Sequence, residues 1–234
     1  MRTQVRNSLI SLITILLNIS STMGQTKIDT IHLESGEVFD ILLITLKPNK
    51  NEELKAYFSG PGIIAKEMSY QPLPGFKVKA HTQGNLQPDN LILAKWRSLS
   101  QREAFLREIE SKVPDFHGRR RDIWSYFGMR YYEIDRDRSI YIDRSAYHVA
   151  TALWQDNRED LAAYYEQWSE AVIEQGGEIL ISLRGGSSPF GYQYDPEIFV
   201  ITAWESAAAF SSYQNMMKEQ KMDNIEHINE YILE

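Results

Sequence analysis

Two adjacent strand-forming segments, separated by a long turn and echoed earlier in the chain, constrain this sequence more than any other feature. They lie between Gly176 and Trp204, GGEILISLRGGSSPFGYQYDPEIFVITAW. Ile179, Ile181 and Leu183 alternate with Leu180, Ser182 and Arg184, the period-2 spacing of a strand with one face on a core. Gly pairs bound that segment on both sides, and a turn rich in Gly, Ser, Pro and Asp follows. Ile198 to Trp204 is then almost continuously apolar, which predicts a central strand covered on both faces.

The first half carries the same order of elements. Phe39 to Leu46 reads as a strand, then a helix places Leu54, Tyr57 and Phe58 on one face. Gly60-Pro61-Gly62 interrupts that helix, because proline lacks the amide donor and glycine is a weak helix former. Phe76 to Thr82 and Leu91 to Trp96 supply two strands, and Ser98 or Ser100 can cap a helix carrying Ala104, Phe105 and Ile109. In the second half, Tyr147 to Trp154 is a strand. Asp156 or Asn157 can cap a helix with Leu161, Tyr164, Tyr165, Trp168 and Val172 at helical spacing, and Ser206 can cap another with Ala209, Phe210, Tyr213 and Met217. Strands at Met129 to Ile134 and Tyr231 to Leu233 complete the halves.

The registers agree: 147 − 39 and 204 − 96 both give 108, and LILAKWRS aligns with FVITAWES at that offset. The pattern predicts an α+β chain with two tandem ferredoxin-like β-α-β-β-α-β units. Unit 1, the more diverged, covers 37–135 and unit 2 covers 145–234, with an extension at 25–36 and a linker at 136–144. The other reading is two segments alike in pattern only. Within the connection, Arg119-Arg120-Arg121 is either a solvated run or an anion-holding one.

Arg2 and Arg6, the apolar Leu9 to Leu17 and the small residues around Gly24 predict an export signal over 1–24, placing the product in the periplasm or outside the cell. An uncleaved N-terminal helix is the other reading. The nine-residue, mostly apolar run is too short to span a bilayer, which takes about 20, so no stable membrane anchor is expected after cleavage. The formal charge of −7 argues against general nucleic-acid binding. The chain has no Cys, hence no disulfide, thiol nucleophile or Cys metal site. Its five His residues lack ligand spacing, and Gly185-Gly186-Ser187-Ser188 lacks the Lys and the helix of a phosphate loop. No cofactor and no metal are expected.

A Tyr-started strand, a helix with Tyr164 and Tyr165, Gly176-Gly177 leading into ISLRGG, and then PEIFVITAWES-x-x-x-A-x-x-x-Y together resemble the dimeric α/β-barrel superfamily. The similarity is greatest to a small bacterial domain family of unknown function, related to antibiotic-biosynthesis monooxygenase-like domains. It covers Tyr147 to about Met217 well and Phe39 to Ile109 weakly. It implies that the two units pair their sheets into one barrel able to hold a small organic ligand, as a monomeric pseudo-dimer or a homo-oligomer.

Alternation then sorts the candidate site residues. If Phe76, Val78, Ala80, Ile179, Ile181 and Leu183 face the helices, Lys77, Lys79, His81, Ser182 and Arg184 face the barrel interior. Asp40 and His148 fall at equivalent places on the two first strands, with Ala150, Ala152 and Trp154 continuing the His148 face. His148 is the candidate acid/base group, Asp40 its partner, and Arg184 the cation for a carboxylate or oxyanion. Lys79, His81, Ser182 and Trp154 complete the expected ligand-binding set, centred on unit 2. The function class stays between a small-molecule-binding protein and a cofactor-independent monooxygenase- or isomerase-type enzyme acting on a small hydrophobic or aromatic compound. An open, polar barrel interior would favour a ligand site there, and a filled one would not.

Overall fold

The computed structural model describes residues 27–155, 158–219 and 225–234; the expected signal segment and the Asp156/Asn157 cap lie outside them. The elements run β1 (Ile28–Leu33), β2 (Val38–Leu46), α1 (Asn51–Ser59), α2 (Pro61–Glu67), β3 (Gln71–Gln83), β4 (Asn90–Trp96), α3 (Leu99–Lys112), α4 (Phe116–Ile123), β5 (Trp124–Glu133), β6 (Arg138–Asp143), β7 (Tyr147–Trp154), α5 (Arg158–Glu174), β8 (Gly177–Arg184), β9 (Ile198–Trp204), α6 (Ala207–Glu219) and β10 (His227–Leu233). Local signals explain most boundaries. Gly60 separates α1 from α2, and Pro61 opens the latter, where its missing amide costs nothing. Ser98 caps α3 by accepting from the Gln101 amide at 3.4 Å, and the Ser206 hydroxyl accepts from the Ala209 amide at 3.2 Å.

Eight strands form one antiparallel sheet in the order β5-β2-β4-β3-β10-β7-β9-β8. Each half contributes four strands with its first strand inside the set, the ferredoxin-like order, and β3 joins β10 across the first seam. The second seam closes differently. β5 meets the chain just beyond β8, where Tyr131 and Ser187 exchange both backbone hydrogen bonds at 2.9 Å and the Met129 amide donates to the Tyr192 carbonyl at 2.9 Å. The segment 185–197 therefore acts as a strap from the second unit to the outer edge of the first. The Ser188 hydroxyl fastens it further to the Met129 carbonyl, and Arg130 pairs with Asp195.

The barrel interior is packed mainly with one apolar cluster. It takes Phe39, Ile41 and Leu43 from β2, Leu91 and Leu93 from β4, Ala150 and Ala152 from β7, Ile181 and Leu183 from β8, and Phe199 and Ile201 from β9, all buried. The extension and the linker pair with each other: β1 and β6 form a two-stranded ribbon whose Ile31, Leu33, Ile140 and Ile142 enter this core. The strap adds Tyr194, whose ring lies 5.7 Å from Trp154 at the far end of β7. A remaining void bordered by Ile31, Phe39, Leu93, Ile142 and Ile201 measures about 10 Å³, room for no more than about one water. The interior is filled.

Two register details depart from the alternation read in the sequence. A bulge between Ile179 and Ile181 puts Ile179 on the helix side while Ile181 and Leu183 point inward with Phe76. In addition, Leu93 pairs with Ile41 whereas its counterpart Ile201 pairs with Ala150. Phe39, rather than Asp40, thus stands where His148 stands, a one-residue slip that sends Asp40 to the opposite face.

Gly186 tests the closure. A Cβ there would lie 2.8 Å from the Tyr131 carbonyl oxygen and 2.6 Å from the Tyr132 ring. Gly186→Ala is expected to cost about 1–3 kcal/mol, the usual penalty of overpacking, measurable by chemical denaturation.

Candidate functional site

The expected site residues are placed by the structure on different faces. Asp40 lies between β2 and the helices of the first unit, 2% exposed. Its carboxylate accepts from the Trp96 indole at 3.0 Å and from Arg102 Nε at 3.1 Å. Arg102, on α3, is equally buried and lies 3.8 Å over the Tyr131 ring. Removing one partner of such a buried pair leaves an uncompensated charge and costs about 3–5 kcal/mol, so Asp40 is an anchor for Arg102 rather than a partner of His148.

His148 does face the barrel interior, as its strand predicts, but in a dry place. It is 2% exposed, with its ring 5.2 Å from Phe76, and its Nε2 has no hydrogen-bond partner. Burial, reinforced by the nearby Arg144 guanidinium, pushes its pKa down to about 4. Arg144 itself is held by Asp29 at 2.7 Å and by the Gly75 carbonyl at 2.9 Å. The imidazole is neutral at physiological pH and does not titrate near 6.5 as an exposed histidine would.

The other residues scatter. Lys79 is exposed, with Nζ 4.0 Å from a Glu234 carboxylate oxygen. His81 pairs across the first seam with Tyr231 and shares a hydrogen bond with the Pro88 carbonyl at 3.0 Å. Ser182 receives the Tyr165 hydroxyl at 2.7 Å from α5, so it faces the helices. Trp154 packs with Tyr194 and His227 at the end of β7. Besides His148, the buried polar groups on the barrel's inner face include Arg130, Asn229 and the phenols of Tyr132, Tyr194 and Tyr231, and burial raises all three phenol pKa values far above the ordinary range. None of these three phenols exchanges a proton near neutrality.

Arg184 is the exception. It is exposed on the last residue of β8, with its guanidinium 4.3 Å over the Tyr165 ring. It borders a cleft of about 180 Å³ outside the second seam, lined by Leu99, Glu103, Tyr131, Glu133, Arg184, Gly185 and Ser187. One wall comes from α3 and β5, the other from β8 and the start of the strap, so the cleft exists only because the two units meet. Its Tyr131 ring is backed by the Arg102–Asp40 pair. Glu103, Glu133 and Tyr131 were not legible as site residues, because nothing in the sequence says that β5 and the strap are neighbours. Among the described residues, no group of three or more His, Asp and Glu is placed to hold a metal ion.

No family model matches the sequence, and no curated protein does. Solved structures do resemble this chain. An anthrone oxidase-like protein superposes with a TM-score of 0.54 at 14% identity, covering 88% of this chain and 94% of its own. A mutant chlorite dismutase from Candidatus Nitrospira defluvii gives 0.51 at 9% identity, covering 86% and 92%. The fold is that of the dimeric α/β barrel. At such identities the likeness concerns the path of the chain, and the site must be argued from this barrel's own residues. Of the residues expected to form the site, only Arg184 borders the cleft at the second seam.

The desolvated imidazole of His148 makes the fold's stability depend on pH. Its folded pKa of about 4 lies below the value of about 6.5 expected in the unfolded chain. As pH falls through that window the unfolded chain takes up the proton first, so stability is lost with acidification. The stability advantage of the wild type over His148→Gln should therefore shrink from pH 7.5 to pH 4.5 in paired denaturation curves. A constant difference would show that the imidazole is not desolvated.

Proposed function

We propose that this chain is a small-molecule-binding barrel protein whose ligand sits in the seam cleft, held through an anionic group by Arg184. The observation that carries this reading is the contrast between a filled interior and an open polar cleft of about 180 Å³ at the second seam. Ligand sites are commonly about 300–1,000 Å³, so the ligand is a small one. Arg184 supplies the fixed cation, steadied by its stacking on Tyr165. Glu103 and Glu133 supply acceptors for the hydroxyl or amine donors of the same molecule, and Tyr131 a flat apolar surface. A ligand spanning the cleft would touch both units, so its binding would also tighten the seam.

A second reading is an enzyme of the cofactor-independent monooxygenase or isomerase type acting on a small aromatic compound in the same cleft. The likeness to an anthrone oxidase-like protein supports it, as does the aromatic floor of Tyr131. The carboxylates of Glu103 and Glu133 would then be the groups available to move protons. Product formation from a bound aromatic, absent in Glu103→Gln, separates this reading from simple binding.

The ligand itself can be found by screening small organic carboxylates against the protein and locating hits by crystallography. For a hit in the cleft, Arg184→Gln should weaken binding about tenfold, the scale of one charged hydrogen bond at a partly exposed site. The melting temperature without ligand should stay near that of the wild type, because Arg184 is at the surface. Ligand density inside the barrel, or binding indifferent to Arg184, would contradict the proposal.

We also propose that the protein is exported, on the basic-apolar-small order of residues 1–24. The intact mass of the protein from its native host should correspond to a chain beginning near Gln25; a mass that includes Met1 to Gly24 would contradict export with cleavage.

A further inference from the structure

The run Arg119-Arg120-Arg121 divides between solvent and core. Arg119 and Arg121 are exposed, whereas Arg120 is only 6% exposed. No carboxylate among the described residues forms an ion pair with it. Its Nε donates to the Tyr57 hydroxyl at 2.8 Å, while its Nη1 has no partner. Aromatic rings surround the guanidinium instead: Phe116 at 4.3 Å, Phe127 at 4.5 Å, Tyr192 at 5.1 Å and Tyr57 at 5.8 Å.

A second donor lies in the same box. Trp124 is 5% exposed, and its ring packs on Tyr57 at 5.0 Å and on Phe127 at 4.9 Å. Its indole Nε1 also has no partner. Arg120 and Trp124 thus share two aromatic neighbours, and each keeps a buried N–H without an acceptor. Buried donors in folded proteins are paired in the great majority of cases. Ring faces relieve part of the buried positive charge, but they leave these N–H groups unmatched. Both orphans are donors, and one of them is cationic. The complement is an acceptor-rich, negatively charged group.

The cover of the box is the strap. Tyr192 arrives from the second unit, closes over Phe127 and Arg120, and hydrogen-bonds to His117 Nδ1. It follows Gly191, whose φ of +82° favours glycine, and Phe190 beside them is 96% exposed. Phe190 and Gly191 therefore hold little of the strap down, and Tyr192 is the side chain that seals the box.

We propose that Arg120 and Trp124 form the floor of a small-oxyanion site beneath Tyr192, with the strap as its cover. The site shares no lining residue with the seam cleft and does not depend on the reading given to it. A carboxylate or a phosphate offers the required chemistry: oxygen lone pairs for Nη1 and the indole N–H, and a negative charge for the guanidinium. The aromatic walls favour a carboxylate on a flat apolar body over inorganic phosphate.

Isothermal titration of the full chain with sodium benzoate, and separately with sodium phosphate at ionic strength matched with sodium chloride, tests this directly. Saturable one-to-one binding is expected, tighter for benzoate; tighter phosphate binding would keep the site and identify a free oxyanion as its occupant. Trp124→Phe keeps the ring and removes one donor, and should weaken binding about tenfold. Tyr192→Ala removes the cover but keeps both donors, and should bind at least as tightly, with faster association. Failure of both the wild type and Tyr192→Ala to bind either anion overturns the proposal, as does binding that Trp124→Phe leaves unchanged. In that case the two donors are satisfied by water.

Discussion

A sheet that curls on itself has to dispose of its two edges, and the way this one does so shapes everything else. Unpaired edge strands expose rows of backbone donors and acceptors that invite association with other chains. One seam is closed in the ordinary way, by β3 on β10. At the other, β8 ends at Arg184 before reaching β5, and the strap makes up the difference through Ser187 and Tyr192. Because the strap follows β5 roughly as a further strand would, its side chains alternate across the wall. Tyr194 enters the barrel, while Tyr192 covers the helix side. One irregular segment thereby plugs the interior, seals the Arg120 box and forms a wall of the seam cleft.

The filling of the interior follows from the same economy. The ribbon of β1 and β6 supplies four branched aliphatic side chains near the start of β2 and β7, and Tyr194 supplies an aromatic at the opposite end. Dense packing leaves no space for a ligand. The layer between the first unit's sheet and helices buries the charged side chains of Asp40, Arg102 and Arg120, and the open polar cleft lies at the seam that this layer borders. The second unit's equivalent layer is dominated by Leu161, Tyr164, Trp168, Val172, Val200, Trp204 and Phe210. The two halves share an order of elements and differ in what they bury beneath their helices.

Much of the architecture was legible in the sequence, because it rests on patterns that burial enforces. The nearly continuous apolar run of β9 is buried at every position, and Ser98 and Ser206 cap the helices they precede. The candidate site was less legible. The bulge between Ile179 and Ile181 has no compositional mark, and a single extra residue reverses which side chains point inward. The slip between β2 and β7 had the same effect on Asp40: an offset that fits the Trp-ended strands does not hold for their partners. Arg184 was recognisable as a candidate anion-binding cation, but its place outside the barrel and its cleft were not, since Glu103, Tyr131 and Ser187 come together only through the strap. Arg120 was legible as part of a charge run and not as its one buried member.

The claim on which this account turns is that the strap closes the barrel. Amide hydrogen exchange at β5 measures it most directly, residue by residue. The account predicts that the Met129 and Tyr131 amides, which donate to Tyr192 and Ser187, exchange about as slowly as the amides of the central strand β2. Exchange at these two positions as fast as at a solvent-exposed edge strand would show that the second seam is open and would contradict it.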